Sequence, residues 1–340
     1  MRQISATISI CTRNRADSLR QCLERLTQLN VPPNVRWDVL VVDNGSTDST
    51  QAVLSEFRGR LPLRSVHEQK KGVSNARSRA VEETESEYML WIDDDVLVGA
   101  DYLATYARAF EQFPEASIFG GAVRPKFEGA PPAWLLRALP DVSSVYCLID
   151  LGHDPIRFDP NGPMIPLGSN YAVKRRAYGR LRYDPDFGPG SETAPLGDET
   201  VLIRKILSQG HEGVWVPDAP VEHVIPSMRQ TTHYLRRYYA GYGKTLAYLA
   251  TQENRAGWAT LFGMPRWAVR GAVTNAFLYI ATRYLAPPEV WCRYLVNAAT
   301  CYGQITGWKS RRGAANAMLV WCAPMVAFTR MCLFDQNTIC

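Results

Sequence analysis

Along the first part of the chain the spacing of apolar positions changes from one segment to the next. "ISATISIC" (4–11) and "WDVLVVD" (37–43) are short apolar runs that predict strands. Between them "ADSLRQCLERLTQL" (16–29) carries the apolar period of an amphipathic helix. "STDSTQAVLSEF" (46–57) opens on good N-caps before another helix, with Ser46 or Thr47 filling the cap position. "LRSVHE" (63–68), "VSNARSRAVEET" (73–84) and "EYMLWID" (87–93) continue as strand, helix and strand. This alternation predicts an α/β fold with a mostly parallel central sheet and helices on both faces.

In open sheets of that kind, ligands collect beyond the carboxyl ends of the strands. The unusual polar residues fall there: "TRNR" after the first strand, "DNGSTD" at the end of the second and "DDD" (93–95) at the end of the fourth. Adjacent carboxylates repel unless a cation or hydrogen-bond donors compensate them. Mg²⁺ or Mn²⁺ does this well, taking one or two carboxylates together with substrate phosphates. In a strand running on through the triplet, Asp93 and Asp95 point to one side and Asp94 to the other. Asp93 and Asp95 are then the expected metal pair, and Asp94 a ribose or supporting contact. Asp43 suits a base N–H or ribose hydroxyls, and Arg13, Arg15 and Arg77 suit phosphate or a base edge.

From Phe127 to Pro195 the text is rich in Pro and Gly, with strand-like "SIFGGAVRP" and "SNYAVKR" interleaved, which predicts long ordered loops over the same site. A helix is expected near "GDETVLIRKILSQG", then a short strand and turn in "EGVWVPDAPVEHV". After Gln230 the sequence turns aromatic, basic and helical. Two apolar stretches there, 271–286 and 314–329, are interrupted by Arg283 or ended by Arg330, and both fall short of the roughly 18 apolar residues of a spanning helix. Amphipathic helices lying on an anionic membrane fit them, against the plainer alternative of a helical subdomain with a solvated basic face.

Charge sharpens this division. The net charge of +5 splits into +10 for residues 229–340, from 13 Lys and Arg against 3 acidic residues, and −5 for the rest. An acidic body and a basic tail imply two surfaces with different partners. The eight cysteines show no CxxC spacing, which favours reduced thiols in the cytosol over disulfides or zinc, and residues 1–15 lack the order of a signal peptide.

Taken together, "SICTRNRADSLRQCLERL", "DVLVVDNGSTDST", "GVSNARSRAV" and "YMLWIDDDV" resemble the successive motifs of the family 2 glycosyltransferases, and the likeness extends through "GSNYAVKR", "LGDETVLIRKILSQG" and "VWVPDAPVEHV". The resemblance implies a GT-A type nucleotide-sugar fold over residues 1–228, with a nucleotide-sugar half at about 1–125 and an acceptor half at about 126–228. The basic helical region 229–340 is then membrane-associating or oligomerising. It implies a nucleoside-diphosphate sugar donor, most often a UDP-sugar, and a divalent metal, Mn²⁺ or Mg²⁺, held by the acidic motif. Thr12, Asn14, Asp43 and Arg77 stand where the family contacts the nucleotide, with Arg13, Arg15 and Asp94 beside them, and Asp93 and Asp95 stand where it holds ribose and metal-diphosphate. His223 stands near the diphosphate or metal. Aligning "LIRKILSQG" without a gap sets Glu199 at the position of the catalytic base and Asp198 beside it, the acid order being swapped relative to many relatives. Trp134 and Tyr171 are candidates for stacking on acceptor sugars, and Asn170 for lining that pocket.

The expected activity is thus a metal-dependent, inverting transfer to a hydroxyl of a lipid-linked glycan or polysaccharide. It would take place at the cytoplasmic face of the cell membrane, with no nucleic-acid partner. Two alternatives stand beside it. A sugar nucleotidyltransferase would normally need a Gly-rich basic loop after the first strand, which "TRNRADS" is not, and the swapped "GDE" leaves room for a non-catalytic scaffold, against which the intact DxD argues.

Overall fold

The computed structural model describes residues 2–162, 164–166, 168–188, 196–252, 260–261 and 264–311. They fall into two compact units, the described residues of 1–126, 147–191 and 197–224 forming the first and those of 127–146, 192–196 and 225–340 the second.

The first unit is built on an eight-stranded sheet. Its strands are β1 (Ile4–Thr12), β2 (Val35–Asp43), β3 (Leu63–His67), β4 (Tyr88–Trp91), β5 (Val96–Val98), β6 (Ala116–Phe127), β7 (Tyr171–Lys174) and β8 (Glu212–Ile225), in the order β3-β2-β1-β4-β7-β6-β8-β5. β3, β2, β1 and β4 run parallel, whereas β7 is antiparallel to both β4 and β6, and β5 is antiparallel to β8. Five helices belong to this unit: α1 (Ala16–Leu26), α2 (Thr50–Phe57), α3 (Val73–Glu83), α4 (Tyr102–Gln112) and, later in the chain, Asp198–Ser208.

Strand alternation distributes the core over both faces of the sheet. Val39 and Val41 of β2 and Tyr88 and Leu90 of β4 pack with Leu19 and Leu23 of α1 and Tyr106 and Phe110 of α4. Their sequence neighbours Leu40, Val42, Met89 and Trp91 pack on the opposite face with Ala76 and Ala80 of α3 and Ile203 and Ile206. Successive strand residues face opposite ways, so a continuous apolar run is what a sheet covered twice requires.

Several expectations are corrected. The helix expected from residue 46 begins at Thr50. Asp48, rather than Ser46 or Thr47, accepts the Thr50 N–H (3.1 Å), its hydroxyl (2.6 Å) and the Ala16 N–H (3.0 Å), tying the starts of two helices together. α4 has no counterpart in the sequence reading, although Tyr102, Leu103, Tyr106 and Phe110 recur at helical spacing on its buried side. The region expected as a short strand and turn is one strand of 14 residues, β8. The acidic triplet is not a continuation of β4: that strand ends at Trp91, and Val96 N–H bonds back to Asp93 C=O (3.2 Å) in a turn. The two-sided alternation therefore does not apply to Asp93, Asp94 and Asp95.

The second unit contains α5 (Ala133–Val142), α6 (Thr232–Gln252), α7 (Arg266–Thr282) and α8 (Pro288–Arg311), with a small two-stranded ribbon of Thr260–Leu261 and Met264–Pro265. Gly271 allows α7 to lie close on α8, since a Cβ there would come within 2.7 Å of Cys301 Sγ. Gly243 of α6 and Gly303 of α8 serve the same purpose, each meeting backbone of the other helix at 2.0 Å from a built Cβ. The apolar stretch 271–286 forms most of α7 and the turn after it, whereas 314–329 lies outside the described residues. Among the described residues no helix is long and apolar enough to cross a membrane.

Candidate active site

Parallel pairing of β1 with β2 aligns Thr12 with Asp43, and β1 lies beside β4, so the polar ends of three strands share one edge of the sheet. Left-handed Asn14 (φ 53°) joins two of the loops there. Its N–H donates to Ser46 Oγ (2.9 Å), and its Oδ1 accepts from Thr47 N–H (2.7 Å). Asp43 is buried with both oxygens engaged, one by Ser46 N–H (2.9 Å) and the other by the Gln51 amide (2.7 Å). Arg13 is half-buried at the same edge.

Two charge clusters follow. In the first, Arg15 bridges Asp94 Oδ1 (2.7 Å) and Asp95 Oδ2 (2.6 Å), and the Thr12 hydroxyl donates to Asp94 Oδ2 (2.7 Å). Antiparallel pairing of β5 with β8 sets Val96 opposite His223, which brings His223 Nε2 within 3.2 Å of Asp95 Oδ2. Burial, with Asp95 alongside, pushes the Asp94 carboxyl up to about 7 against the opposing pull of Arg15. Burial also works against charge on Arg15, but the carboxylates outweigh it and hold the guanidinium firmly protonated.

The second cluster centres on Arg77 of α3. Its Nη1 reaches Asp198 Oδ2 (2.7 Å) and Glu199 Oε2 (3.2 Å), and its Nη2 reaches Asp93 Oδ1 (3.4 Å). Asp198 and Glu199 open the first turn of the Asp198–Ser208 helix, where the backbone dipole favours negative charge. Neither caps that helix with its side chain. Burial, then the neighbouring Asp198, pushes the Glu199 carboxyl up to about 7, with Arg77 opposing. Exposure separates the acids: the Asp93 side chain is 34% exposed, Glu199 14% and Asp198 3%.

The acidic triplet is thus divided differently from the expectation, Asp94 and Asp95 sharing Arg15 while Asp93 turns to Arg77. Asp95 and His223 offer a carboxylate oxygen and an imidazole nitrogen side by side, donors suited to Mn²⁺ or Mg²⁺. No group of three or more His, Cys, Asp or Glu side chains converges on a metal position among the described residues. An ion held by this pair would need phosphate and water to complete its shell.

Two expected acceptor contacts are corrected. Asn170 is fully buried, its amide donating to Ala122 C=O (3.0 Å) and Ala219 C=O (2.8 Å) while its oxygen accepts from the Tyr106 (2.8 Å) and Tyr102 (3.3 Å) hydroxyls. Every hydrogen-bonding position of that side chain is taken. Tyr171 is equally buried, sharing a hydrogen bond with the Tyr183 hydroxyl (2.7 Å) and stacking on Trp91. Trp134 belongs to the second unit, half-buried against Trp291 with ring centroids 5.5 Å apart.

Two residues not singled out in the sequence contribute to the site. Ser169 donates to Asp93 Oδ2 (2.8 Å). Gly168 lets the chain pass so close that a Cβ would stand 3.1 Å from Arg77 Nη2 and 3.3 Å from Glu199 Oε1. Both lie at the start of "GSNYAVKR", where small side chains beside Asn170 carry no chemical signal of their own.

The sheet is mixed, with helices on both faces, and its paired acidic and basic clusters stand at the carboxyl ends of the parallel strands. The family model described as Glycosyl transferase family 2 matches residues 7–180, just over half of the chain, and the chain belongs to that family. It is 28% identical over 130 residues to the succinoglycan biosynthesis protein ExoM of Rhizobium meliloti, a match covering 38% of this chain and 41% of that relative. It is 23% identical over 250 residues to the glucosyl-dolichyl phosphate glucuronosyltransferase of Haloferax volcanii, covering 71% of this chain and 76% of the relative. Among solved structures, the mannosyltransferase PcManGT of Pyrobaculum calidifontis, in complex with GDP-Man and Mn²⁺, superposes with a TM-score of 0.51 at 18% identity, covering 92% of this chain and 76% of that one. TarS 1–349 of S. aureus, in complex with UDP, gives 0.51 at 14% identity, covering 93% and 92%. These likenesses establish the GT-A fold, and the chain is a glycosyltransferase.

Proposed function

We propose that this glycosyltransferase is metal-dependent and inverting, and that it moves a sugar from a nucleoside-diphosphate sugar, a UDP-sugar first, to a hydroxyl of a lipid-linked glycan or polysaccharide. The catalytic domain is residues 1–228, and 229–340 serves at the cytoplasmic face of the membrane. Relatives named for succinoglycan biosynthesis and for a dolichyl-phosphate-linked sugar support that acceptor class.

The observation that carries this reading is Glu199, whose carboxyl is pushed up to about 7 by burial and Asp198, and which is partly exposed and held 3.2 Å from Arg77. A base works best with a pKa near the working pH. Glu199 accepts the proton of the acceptor hydroxyl. The oxygen then forms its bond to the anomeric carbon as the bond to the diphosphate breaks on the opposite face, so the configuration inverts and the nucleoside diphosphate leaves with the electron pair. Asp198, more deeply buried and closer to Arg77, holds that guanidinium in place rather than receiving the proton. Asp93, fixed by Ser169, presents its more exposed carboxylate to ribose or sugar hydroxyls. Asp95 and His223 would hold the divalent metal, which when bound stabilises charge on the diphosphate. Arg15, Arg13, Thr12, Asn14 and Asp43 border the nucleotide.

The test is a panel of UDP- and GDP-sugars with Mn²⁺, scored for thermal protection and for slow donor hydrolysis. Release of nucleoside diphosphate with at least one donor is expected. Release of pyrophosphate would favour a nucleotidyltransferase, and no protection by any nucleotide would refute donor binding.

A further inference from the structure

The side of α7 turned away from α8 carries an apolar stripe that stays exposed among the described residues. Val273 (66% exposed), Phe277 (69%), Ile280 (73%) and Tyr284 (90%) follow one another at helical spacing, and Leu285 (90%) joins them at the turn into α8. Residues three, four and seven apart share a helix face, so these side chains form one surface rather than scattered exposures. The opposite side is committed: Gly271 meets Cys301, Tyr279 packs on Trp291, and the Arg283 guanidinium lies 4.0 Å over that same indole. Contiguous apolar surface of this kind marks a place where something binds.

Charge identifies what binds. Arg266 and Arg270 are exposed and extend the same stripe toward the start of α7. Residues 264–288 contain no Asp or Glu, and the next acid, Glu289, is paired with Arg137 at 3.0 Å. A second copy related by a two-fold axis would present the same two arginines and no carboxylate to receive them. An anionic bilayer supplies both halves of the match, phosphates for the guanidinium groups and acyl chains for Phe277, Ile280 and Leu285, with Tyr284 at headgroup depth. At 17 residues α7 is too short and too mixed to span, which leaves it lying in the interface.

We infer that α7 and the turn after it form the membrane-docking surface of this enzyme, seated on anionic lipid. The inference rests on the membrane-face reading above and gives it a location. The test uses the full chain and vesicles of phosphatidylcholine alone or with about a third phosphatidylglycerol, in flotation assays at low and high salt. Binding is expected only with the anionic lipid, and is expected to fall as salt rises. F277S/I280S/L285S is expected to lose at least about a hundredfold in vesicle affinity from its three large apolar side chains. R266Q/R270Q is expected to lose roughly 25-fold, about fivefold per arginine. Donor hydrolysis in solution, measured on the same samples, is expected to be unchanged, so failure on vesicles is distinguishable from failure of the transferase reading. The inference is overturned if the triple variant floats like the parent chain. It is also overturned if the parent ignores vesicles but is a dimer that the variant converts to monomer.

Discussion

Arg77 joins segments 121 and 122 residues away in sequence to the end of β4, and its removal is the sharpest test of the site. In R77M a nonpolar chain of similar length replaces the guanidinium, leaving Asp93, Asp198 and Glu199 without their shared cation. Removing one partner of a buried ionic cluster costs about 3–5 kcal/mol, because the remaining charges stay desolvated and unpaired. Arg77 is 8% exposed at its side chain, so little of that cost is recovered by water. For a domain of this size each kcal/mol moves the midpoint by about 2–4 °C, and a fall of roughly 6–20 °C is expected at pH 8. The pH dependence carries the argument. Burial and Asp198 push the Glu199 carboxyl up to about 7, above the ordinary 4.5, against the help of Arg77. A carboxyl whose folded pKa is raised costs no stability below its unfolded pKa, progressively more between the unfolded and the folded value, and a constant amount above the folded value. Losing Arg77 raises it further, so the Glu199 share of the gap between parent and variant should open above about pH 7 and vanish well below it. Scanning calorimetry across pH 5–8 reads both quantities. A midpoint shift under about 2 °C at pH 8, or a gap independent of pH, would refute the cluster as the structure draws it.

E199Q should fold normally yet lose about 10²–10⁴ in kcat, and D198N should be impaired mainly through stability. For the parent enzyme, kcat/KM should rise as pH passes through about 7, since the base must be deprotonated; a flat profile from pH 6 to 8 would exclude Glu199. D95N and H223A should each weaken Mn²⁺ uptake in the presence of UDP, read by electron paramagnetic resonance, while nucleotide binding without metal changes little. N170A should lower the thermal midpoint, at about 1–3 kcal/mol for the carbonyls and hydroxyls it orphans, and leave acceptor KM unaltered; a change in KM with an unaltered midpoint would restore Asn170 to the substrate pocket.

Much of this arrangement is legible in the chain. The apolar runs of β1, β2 and β4 and the amphipathic period of α1 and α3 follow from local spacing, and the positions of Thr12, Asp43 and the acidic triplet at strand ends follow from that order. Burial on two faces also explains why those runs are continuous rather than alternating. The family follows from the motifs in series, because their order and spacing are linear properties.

Pairing across the chain is what linear reading lacked. The turn at Asp93–Val96 depends on a backbone bond and on β5 crossing to pair with β8, so alternation assigned Asp93 and Asp95 to one side when Arg15 in fact joins Asp94 and Asp95. Asn170 and Tyr171 are polar residues in a Gly- and Pro-rich neighbourhood, a pattern that suggests a pocket. Only the antiparallel seat of β7 between β4 and β6 buries them among tyrosines and carbonyls. Likewise the composition of α7 announces a basic, apolar segment, but packing against α8 decides which of its sides is left open. By itself the sequence determined the elements, the family and the residue types at the sheet edge, because each rests on local period and order. Tertiary structure decided which carboxylate meets which cation, since desolvation and charge pairing are properties of neighbours in space.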